Sequence, residues 1–227
     1  MKRVRLLLLR HGECEGGAIL RGRTDVSLTK NGWQQMAAAV AKHSEFAIDT
    51  CHAIYSSPLR RCADFAKQFK DKLSLVDGLK EADFGDWDGQ SFDALYQECG
   101  DMLDAYWQNP WAIAPPNGES MAQFEARVDA AIDSILDNVF ENSFMALTQS
   151  KQANESQLAA QMQSEHIWVI THGGVIRHLM ARALGAVRVA GFYRQLSLPY
   201  GALVTIEVLQ EANGTRYWQL EWPTSST

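Results

Sequence analysis

The chain has 227 residues and a net charge of −6 at pH 7, with 46% hydrophobic and 21% charged residues. This length and composition are typical of a globular protein with a sizeable core, and they argue against a disordered or fibrous chain. The negative charge gives no general attraction to nucleic acid or anionic membranes, so we expect neither as a partner. An anionic substrate would therefore need a local cluster of cations.

The N-terminal sequence MKRVRLLLL begins like a secretion signal, with basic residues followed by leucines. The apolar run stops after four leucines at Arg10, which is too short for a signal peptide, and no other segment has the length needed to span a membrane. No C-x-x-C pair or zinc-finger spacing occurs, which indicates reduced thiols and predicts a cytoplasmic protein. The four cysteines are Cys14, Cys51, Cys62 and Cys99.

The first half of the chain alternates strand-like and helix-like segments. Residues 4–9 form a short apolar run, which predicts a strand buried on both faces. The segment LTKNGWQQMAAAVAK predicts a helix capped by Thr29. AIYSS at 53–57 predicts a second strand, and SPLRRCADFAKQF predicts a helix capped by Ser57 with Pro58 at its first position.

The second half supplies a third strand and a terminal hairpin. HIWVIT at 166–171 is apolar throughout, and the following HGGVIRHLMARALG predicts an amphipathic helix that ends at Gly185. ALVTIEVL and TRYWQLEW, with Asn213 and Gly214 between them, predict a closing hairpin. This order of elements predicts an α/β fold with three α/β/α layers and a mostly parallel central sheet.

A different region separates the second and third strands. Residues 91–142 have a helical pattern that is broken by NPWAIAPPNG at 109–118. Ser120 and Gln123 then have the spacing of a capping box. We interpret this region as a helical lid inserted into the α/β core.

The whole chain, 1–227, is expected to form one domain, with the lid insertion at about 85–142. Residues from about 141 to 165 are polar and rich in glutamine, which predicts a surface extension without a chemical role.

Charged and reactive side chains follow the predicted parallel strands. Arg10 and His11 end the first strand, and His172 follows the third. The helix after the second strand carries Arg60 and Arg61 in its first turns. Ligands of parallel sheets collect at the carboxyl ends of the strands, and guanidinium groups bind phosphate oxygens in pairs. The sequence therefore predicts a phosphoryl-binding site at this sheet edge.

His11 is also suited to act as a nucleophile. A neutral imidazole nitrogen attacks phosphorus, and neighbouring cations keep the imidazole neutral by lowering its pKa. His11 and His172 each precede a glycine, which lets the backbone approach a ligand. We assign structural or surface positions to the other histidines, which are His43, His52, His166 and His178.

Phosphoryl transfer to histidine also requires a proton donor for the leaving oxygen. The segment LKEADFGDWDGQ offers Glu81, Asp83, Asp86 and Asp88. We expect Asp86 and Asp88 to belong to a solvated acidic loop, but spacing alone does not decide which acid faces the phosphate.

Four motifs resemble the signatures of the histidine phosphatase superfamily, phosphoglycerate-mutase-like branch. They are LLRHGE, SSPLRRC, EADFGDWDG and VITHGG, and they occur in the order of that family. The resemblance implies that His11 becomes phosphorylated and that Glu81 is the general acid. It implies that Arg10, Arg61 and His172 complete the phosphate pocket, and that the enzyme needs no metal and no other cofactor.

The resemblance also distinguishes between Arg60 and Arg61, either of which could bind the phosphate on sequence position alone. In the family one residue separates SPL from the arginine, which selects Arg61 and leaves Arg60 as a surface cation. Many members have Ser or Thr at the position of Cys14 and Asn at the position of Gly17. We expect Cys14 to be a small buried substitute, and the loss of the Asn removes one phosphate contact.

The composition of the predicted lid bears on the substrate. Residues 91–118 contain no Lys or Arg but contain several acids, which argues against a substrate with a second anionic group. The same region contains aromatic residues, which suit a nucleoside-like small metabolite, and we expect at most two of them to contact it. The acids are Asp93, Glu98, Asp101 and Asp104, and the aromatic residues, with Trp87 just before the region, are Tyr96, Tyr106, Trp107 and Trp111.

Within the family, GRTDVSLT, FGDWDG and WQNPWAIAPPNGESMAQFEARV resemble the α-ribazole phosphatases most. That resemblance implies removal of the 5′-phosphate from α-ribazole 5′-phosphate, or from adenosylcobalamin 5′-phosphate, in cobalamin nucleotide-loop assembly. A broad-specificity phosphatase and a phosphoglycerate mutase remain as alternatives. A non-catalytic phosphoprotein-binding module is disfavoured because both histidines and Glu81 are present. The sequence leaves the oligomeric state open.

Overall fold

The computed structural model describes residues 1–149, 165–186 and 188–222. The strands are β1 (Lys2–Arg10), β2 (Ala53–Ser56), β3 (Leu73–Leu75), β4 (His166–Thr171), β5 (Leu203–Gln210) and β6 (Arg216–Glu221). The helices are α1 (Lys30–Lys42), α2 (Arg60–Ala66), α3 (Phe92–Gln108), α4 (Met121–Gln149), α5 (Gly173–Leu184) and α6 (Phe192–Gln195). Short 3-10 helices lie at 44–46, 48–50, 67–72, 77–79 and 85–87.

The strands form one mixed sheet in the order β3-β2-β4-β1-β5-β6. The pairs β3–β2, β2–β4 and β4–β1 are parallel, whereas β5 and β6 form an antiparallel hairpin beside β1. The register of β1 and β4 pairs Arg10 with Thr171, so the residues that follow, His11 and His172, leave the sheet side by side. The predicted mostly parallel α/β sheet is confirmed.

The leucines of β1 alternate between two hydrophobic cores, one on each face of the sheet. Leu6 and Leu8 belong to one core and Leu7 and Leu9 to the other, and all four are 0% exposed. The predicted strand buried on both faces is therefore confirmed, as are the helical layers on both sides. One core includes Met36 and Ala39 of α1 and Phe65 and Ala66 of α2, and the other includes Val128 and Ile132 of α4 and Val175, Ile176 and Leu179 of α5.

Two details near β2 differ from the sequence prediction. Helix α2 begins at Arg60 instead of Pro58, and the Ser57 hydroxyl accepts both the Leu59 amide and a hydrogen bond from His172. The edge strand β3 was not predicted. It has three residues, LSL, which is too short to show a strand pattern.

The predicted break in the helical region is confirmed, because α3 ends at Gln108 and α4 begins at Met121. Ser120 and Gln123 form the expected capping box, in which the Ser120 amide donates to Gln123 Oε1 and the Gln123 amide donates to Ser120 Oγ. Because α4 contributes Val128 to the core on the sheet, the range 85–142 combines a cover over the site with part of a helical layer.

Most of the predicted surface extension, about residues 141–165, lies outside the described residues. None of the helices in the described ranges combines the length and the apolar character that a membrane span requires.

The turn after β1 packs directly on the first turn of α1. A Cβ atom at Gly12 would lie 2.1 Å from the Gly32 carbonyl oxygen, and one at Gly32 would lie 2.0 Å from the Glu13 oxygen. The Thr29 side chain caps α1 by accepting the Gly32 amide at 2.9 Å, as predicted. The two glycines thus allow the chain segment that carries His11 to pack tightly against α1.

We expect Gly12→Ala to lower the free energy of unfolding by about 1–3 kcal/mol, because the added methyl group meets backbone atoms that cannot yield easily. The matched control is Gly100→Ala in α3, where the nearest atom to a new Cβ is 3.4 Å away. Urea unfolding of both variants checks this, and equal stability changes at the two positions would contradict it.

Candidate active site

His11 is 5% exposed and its ring is oriented by the backbone. Nδ1 lies 2.8 Å from the Gly12 carbonyl oxygen, and since a carbonyl only accepts, Nδ1 carries the proton. Nε2 is then left with its lone pair. Burial, together with the positive charge of Arg61, holds the pKa of His11 well below its usual value, so the ring is neutral.

His172 lies behind His11 and is fully buried, with the two ring centres 5.2 Å apart. Its Nδ1 accepts from Arg61 Nε at 3.2 Å, and Nε2 therefore carries the proton and donates to Ser57 Oγ at 2.8 Å. Burial and the neighbouring Arg61 charge hold its pKa well below the usual value. A direct contact between His172 and a phosphate would require one of these two bonds to open.

Arg61 is 0% exposed, and its guanidinium group is held by three neutral acceptors. Nη1 donates to the Thr24 carbonyl at 2.9 Å, Nη2 donates to the Gly22 carbonyl at 2.7 Å, and Nε donates to His172. One hydrogen remains on each Nη atom for an anion. Arg60 is 56% exposed at its side chain and pairs with Asp64, so its predicted surface position is confirmed.

Asp88 is part of the support for the site, and its assignment to a solvated loop is wrong. Its carboxylate accepts from the backbone amides of Gly22, Arg23 and Thr24, and also from the Thr24 hydroxyl. These amides belong to the turn whose carbonyls hold Arg61. The sequence does not predict this role of Asp88, because the amides that donate to it lie in a turn 64–66 residues earlier in the chain. Asp86 does lie in an exposed position, as predicted.

Two further cations face His11. Arg10 donates from Nη1 to the Leu198 carbonyl, and its guanidinium carbon lies 4.6 Å from the centre of the Tyr200 ring. Arg21, which the sequence analysis did not single out, donates from Nη2 to the Glu15 carbonyl at 3.0 Å. Among the described residues, neither Arg10 Nε nor Arg21 Nε has a hydrogen-bond partner although both atoms are buried. Both charges lower the pKa of His11.

Glu81 approaches the site from the loop before α3 and is held at the N-terminus of α5. Its Oε2 accepts the Gly174 amide at 2.9 Å, and Oε1 accepts the Ala82 amide at 3.1 Å. A Cβ atom at Gly174 would lie 2.2 Å from Oε1, so the second glycine of VITHGG makes room for this carboxyl group. The N-terminus of a helix favours such an acidic group.

A cavity of about 330 Å³ brings Arg10, His11 and Glu81 together. It is also lined by Arg21 and Arg177, two cations that were not predicted. Arg177 could have been found from its place one helical turn after Gly173, the first residue of α5. The remaining wall is aromatic or apolar and includes Ile19, Leu20, Phe84, Phe92, Tyr106, Trp107, Met121, Phe124, Tyr193 and Tyr200.

The five aromatic residues singled out from the sequence have different positions. Tyr106 and Trp107 line the cavity. Trp87 is 3% exposed in the core, Trp111 donates to Glu125, and Tyr96 is 49% exposed at the surface.

Cys14 is buried directly beside His11. Its Sγ lies 3.4 Å from His11 Nδ1 and 3.4 Å from the Gly12 carbonyl oxygen. Burial raises the pKa of the Cys14 thiol, so it is a neutral neighbour of the imidazole. Within the described ranges, no group of three or more His, Cys, Asp or Glu side chains is placed to hold a metal ion.

The two neutral histidines make stability sensitive to acid. Their folded pKa values are lowered, so the unfolded chain takes up protons below about pH 6.5 that the folded chain refuses. We expect stability to be complete above that pH and to fall below it, by up to about 1.4 kcal/mol per pH unit for each ring. Urea unfolding at pH 7.5 and 5.5 checks this.

Replacing His11 and His172 together by Asn should flatten this pH dependence. Replacing the exposed His52 by Asn should leave it unchanged. The same slope in all three proteins would contradict the assignment of both rings as neutral.

Known structures share this fold. The mycobacterial glucosyl-3-phosphoglycerate phosphatase superposes with a TM-score of 0.72 at 21% identity, covering 97% of this chain and 98% of that one. The α-ribazole phosphatase of Shigella flexneri superposes with a TM-score of 0.64 at 22% identity, covering 96% and 94%. At these identities the likeness establishes the fold alone.

Curated sequences match over a shorter range. The 2,3-bisphosphoglycerate-dependent phosphoglycerate mutase of Bartonella quintana is 31% identical over 132 residues, which cover 54% of this chain and 64% of the mutase. The chain spans between about a third and two thirds of the length of such relatives. A protein-family model described as "Histidine phosphatase superfamily (branch 1)" matches residues 6–220 of this chain. The family predicted from the four motifs is thereby confirmed, and this chain belongs to the histidine phosphatase superfamily, branch 1.

Proposed function

We propose that this chain is a phosphomonoesterase that acts through a phosphohistidine at His11. The observation that carries the proposal is the shared cavity in which His11, Glu81 and Arg10 meet, with the charge of Arg61 acting on His11. The backbone fixes the tautomer that leaves His11 Nε2 unprotonated, which is the state a nucleophile needs. The proposal requires no metal ion and no other cofactor.

In the first step, His11 Nε2 attacks the phosphorus atom and the bond to the ester oxygen breaks. The proton of the Glu81 carboxyl group passes to that oxygen, so the alcohol leaves neutral. Arg10 and Arg61 stabilise the negative charge on the remaining phosphate oxygens. His172 supports this step through Arg61, whose Nε it binds.

In the second step, water attacks the phosphohistidine and Glu81, now ionised, accepts a proton from it. The bond between phosphorus and Nε2 breaks, and inorganic phosphate leaves with His11 neutral again. Arg21 lines the same cavity as His11 and adds a cation for the same phosphate. Its Nε is buried and has no hydrogen-bond partner among the described residues, which supports that role.

For the substrate, we propose α-ribazole 5′-phosphate or its cobalamin-attached form. Tyr106, Trp107 and Phe84 line the cavity and offer aromatic surface to a nucleoside-like ring. The resemblance of the surrounding motifs to α-ribazole phosphatases supports the same choice. A small phosphorylated metabolite is accordingly the proposed partner, in the cytoplasm, without nucleic acid or membrane.

One observation favours a second candidate, a substrate with a second anionic group such as that of a mutase. Arg177 lines the cavity, and its Nε donates to the Leu196 carbonyl at 2.9 Å. Segment 91–118 supplies no Lys or Arg, but Arg177 of α5 provides the cavity with a cation for a second anionic group. The mutase relative is consistent with this alternative, and a broad-specificity phosphatase is the third.

We expect His11→Ala to lower kcat/KM by at least about a thousandfold, because the nucleophile is lost. Incubation of the wild-type protein with radiolabelled substrate and rapid quenching should yield an acid-labile phosphoenzyme that His11→Ala lacks. Cys14→Ala is the matched control, since its thiol is a neutral neighbour of the same ring, and it should still form the phosphoenzyme. A binding module without catalysis would show no turnover in any of the three proteins.

A panel of phosphomonoesters ranked by kcat/KM tests the substrate. The proposal predicts that kcat/KM for α-ribazole 5′-phosphate exceeds that for ribose 5′-phosphate, which lacks the aromatic base, by at least about tenfold. Trp107→Ala should reduce that preference without affecting ribose 5′-phosphate. A flat ranking would contradict the α-ribazole assignment, and faster phosphate exchange between glycerate positions than release to water would favour the mutase.

A further inference from the structure

Arg127 of α4 binds the backbone of the segment that carries Glu81. Its Nη1 donates to the carbonyls of Gly78 and Lys80, both at 2.9 Å, and its Nη2 donates to the Glu81 carbonyl at 3.3 Å. Gly78 lies in the 3-10 helix at 77–79, whereas residues 80–84 have no regular secondary structure, so the Lys80 and Glu81 carbonyls do not belong to a strand or a helix. One side chain from a distant helix thus supports three of the four carbonyls from Gly78 to Glu81.

Glu119 fixes Arg127 and also binds the chain on the other side of Glu81. Its two carboxylate oxygens accept from Arg127 Nε at 2.8 Å and from Nη2 at 2.7 Å. The Glu119 amide donates to the Asp83 carbonyl at 2.8 Å, and the Asp83 amide donates to Glu119 Oε2 at 3.3 Å. The pair therefore holds the backbone both before and after Glu81.

Burial and hydrogen bonding restrict the movement of the Arg127–Glu119 pair. The side chains of Arg127 and Glu119 are only 21% and 11% exposed, and the two parallel bonds between them fix the guanidinium plane. Neither residue lines the cavity. A general acid must come within about 2.6–3.2 Å of the oxygen that it protonates, so a small shift of the Glu81 backbone would misplace its carboxyl group.

We propose that Arg127 and Glu119 are positioning residues that hold Glu81 where its carboxyl group reaches the leaving oxygen. This inference rests on the proposed function, because it requires Glu81 to be the general acid. The inference assigns a role in proton transfer to two residues that do not line the cavity. Because both lie in the range 85–142, the cover over the site would also help to position the general acid.

The test compares substrates that differ in their need for a proton. An alkyl phosphate has a poor leaving group that must be protonated, whereas 2,4-dinitrophenyl phosphate has a leaving group that departs as an anion. We expect Arg127→Met to lower kcat/KM by at least about tenfold for the alkyl ester and by less than about threefold for the aryl ester. The ratio kcat/KM is used because it reports transfer to His11 and excludes later hydrolysis of the phosphoenzyme.

The matched control is Arg182→Met. Arg182 has a similar exposed fraction, 24%, and binds Asp129 and Asp133 of the same helix α4, but neither carboxylate supports the Glu81 segment. It should affect both substrates equally. Glu119→Gln keeps the size of the side chain and should show the same selective loss as Arg127→Met, which keeps the inference testable if Arg127→Met does not fold.

The reference variant is Glu81→Gln, which should lose activity selectively on the alkyl ester. If it does and the folded Arg127 or Glu119 variant loses activity equally on both esters, or on neither, the positioning role is overturned while the general acid stands. If Glu81→Gln itself shows no selectivity, the general-acid assignment fails and the inference fails with it.

Discussion

The site depends on one fully buried cation. The Arg61 guanidinium is 0% exposed, and within the described part of the chain its hydrogen bonds go to two backbone carbonyls and one imidazole, all neutral. A buried charge without a charged partner is costly, so the fold provides a place that an anion would stabilise. Burial and this same charge lower the pKa values of His11 and His172, so both rings are neutral. The buried Arg61 therefore favours anion binding and adds to the effect of burial that keeps His11 deprotonated.

The carboxylate of Asp88 acts on Arg61 through a peptide group. The carbonyl of Gly22 accepts from Arg61, and the amide of Arg23, which belongs to the same peptide, donates to Asp88. Because the peptide dipole lies between the two charges, each bond strengthens the other. A Cβ atom at Gly22 would lie 2.5 Å from Asp88 Oδ2, so the close approach requires glycine. This arrangement leaves the two outer hydrogens of the guanidinium for the ligand instead of pairing them with a carboxylate.

Patterns along the sequence predicted the fold and the core of the site, but not its supports. Strand β1 was predictable because a short run of leucines is typical of a strand buried on both faces, and parallel pairing then places His11 beside His172. The roles of Asp88, Arg21 and Arg177 were missed because their hydrogen-bond partners are backbone groups, and backbone carbonyls and amides carry no residue signature. The start of α2 was misplaced because the hydroxyl of Ser57 serves His172 as well as the helix.

The segment between α5 and β5 contacts both cationic and aromatic residues of the cavity. Its carbonyls at Leu196 and Leu198 hold the guanidinium groups of Arg177 and Arg10, and its Tyr200 ring lies against Arg10. Two cations of the cavity and part of its aromatic wall are therefore held by the same segment. Under the proposed function, a change in this segment would alter the phosphate contact and the ring contact together. Substrate preference within such a site is thus expected to change through this segment, while Arg61 and His11, held by the sheet edge, stay in place.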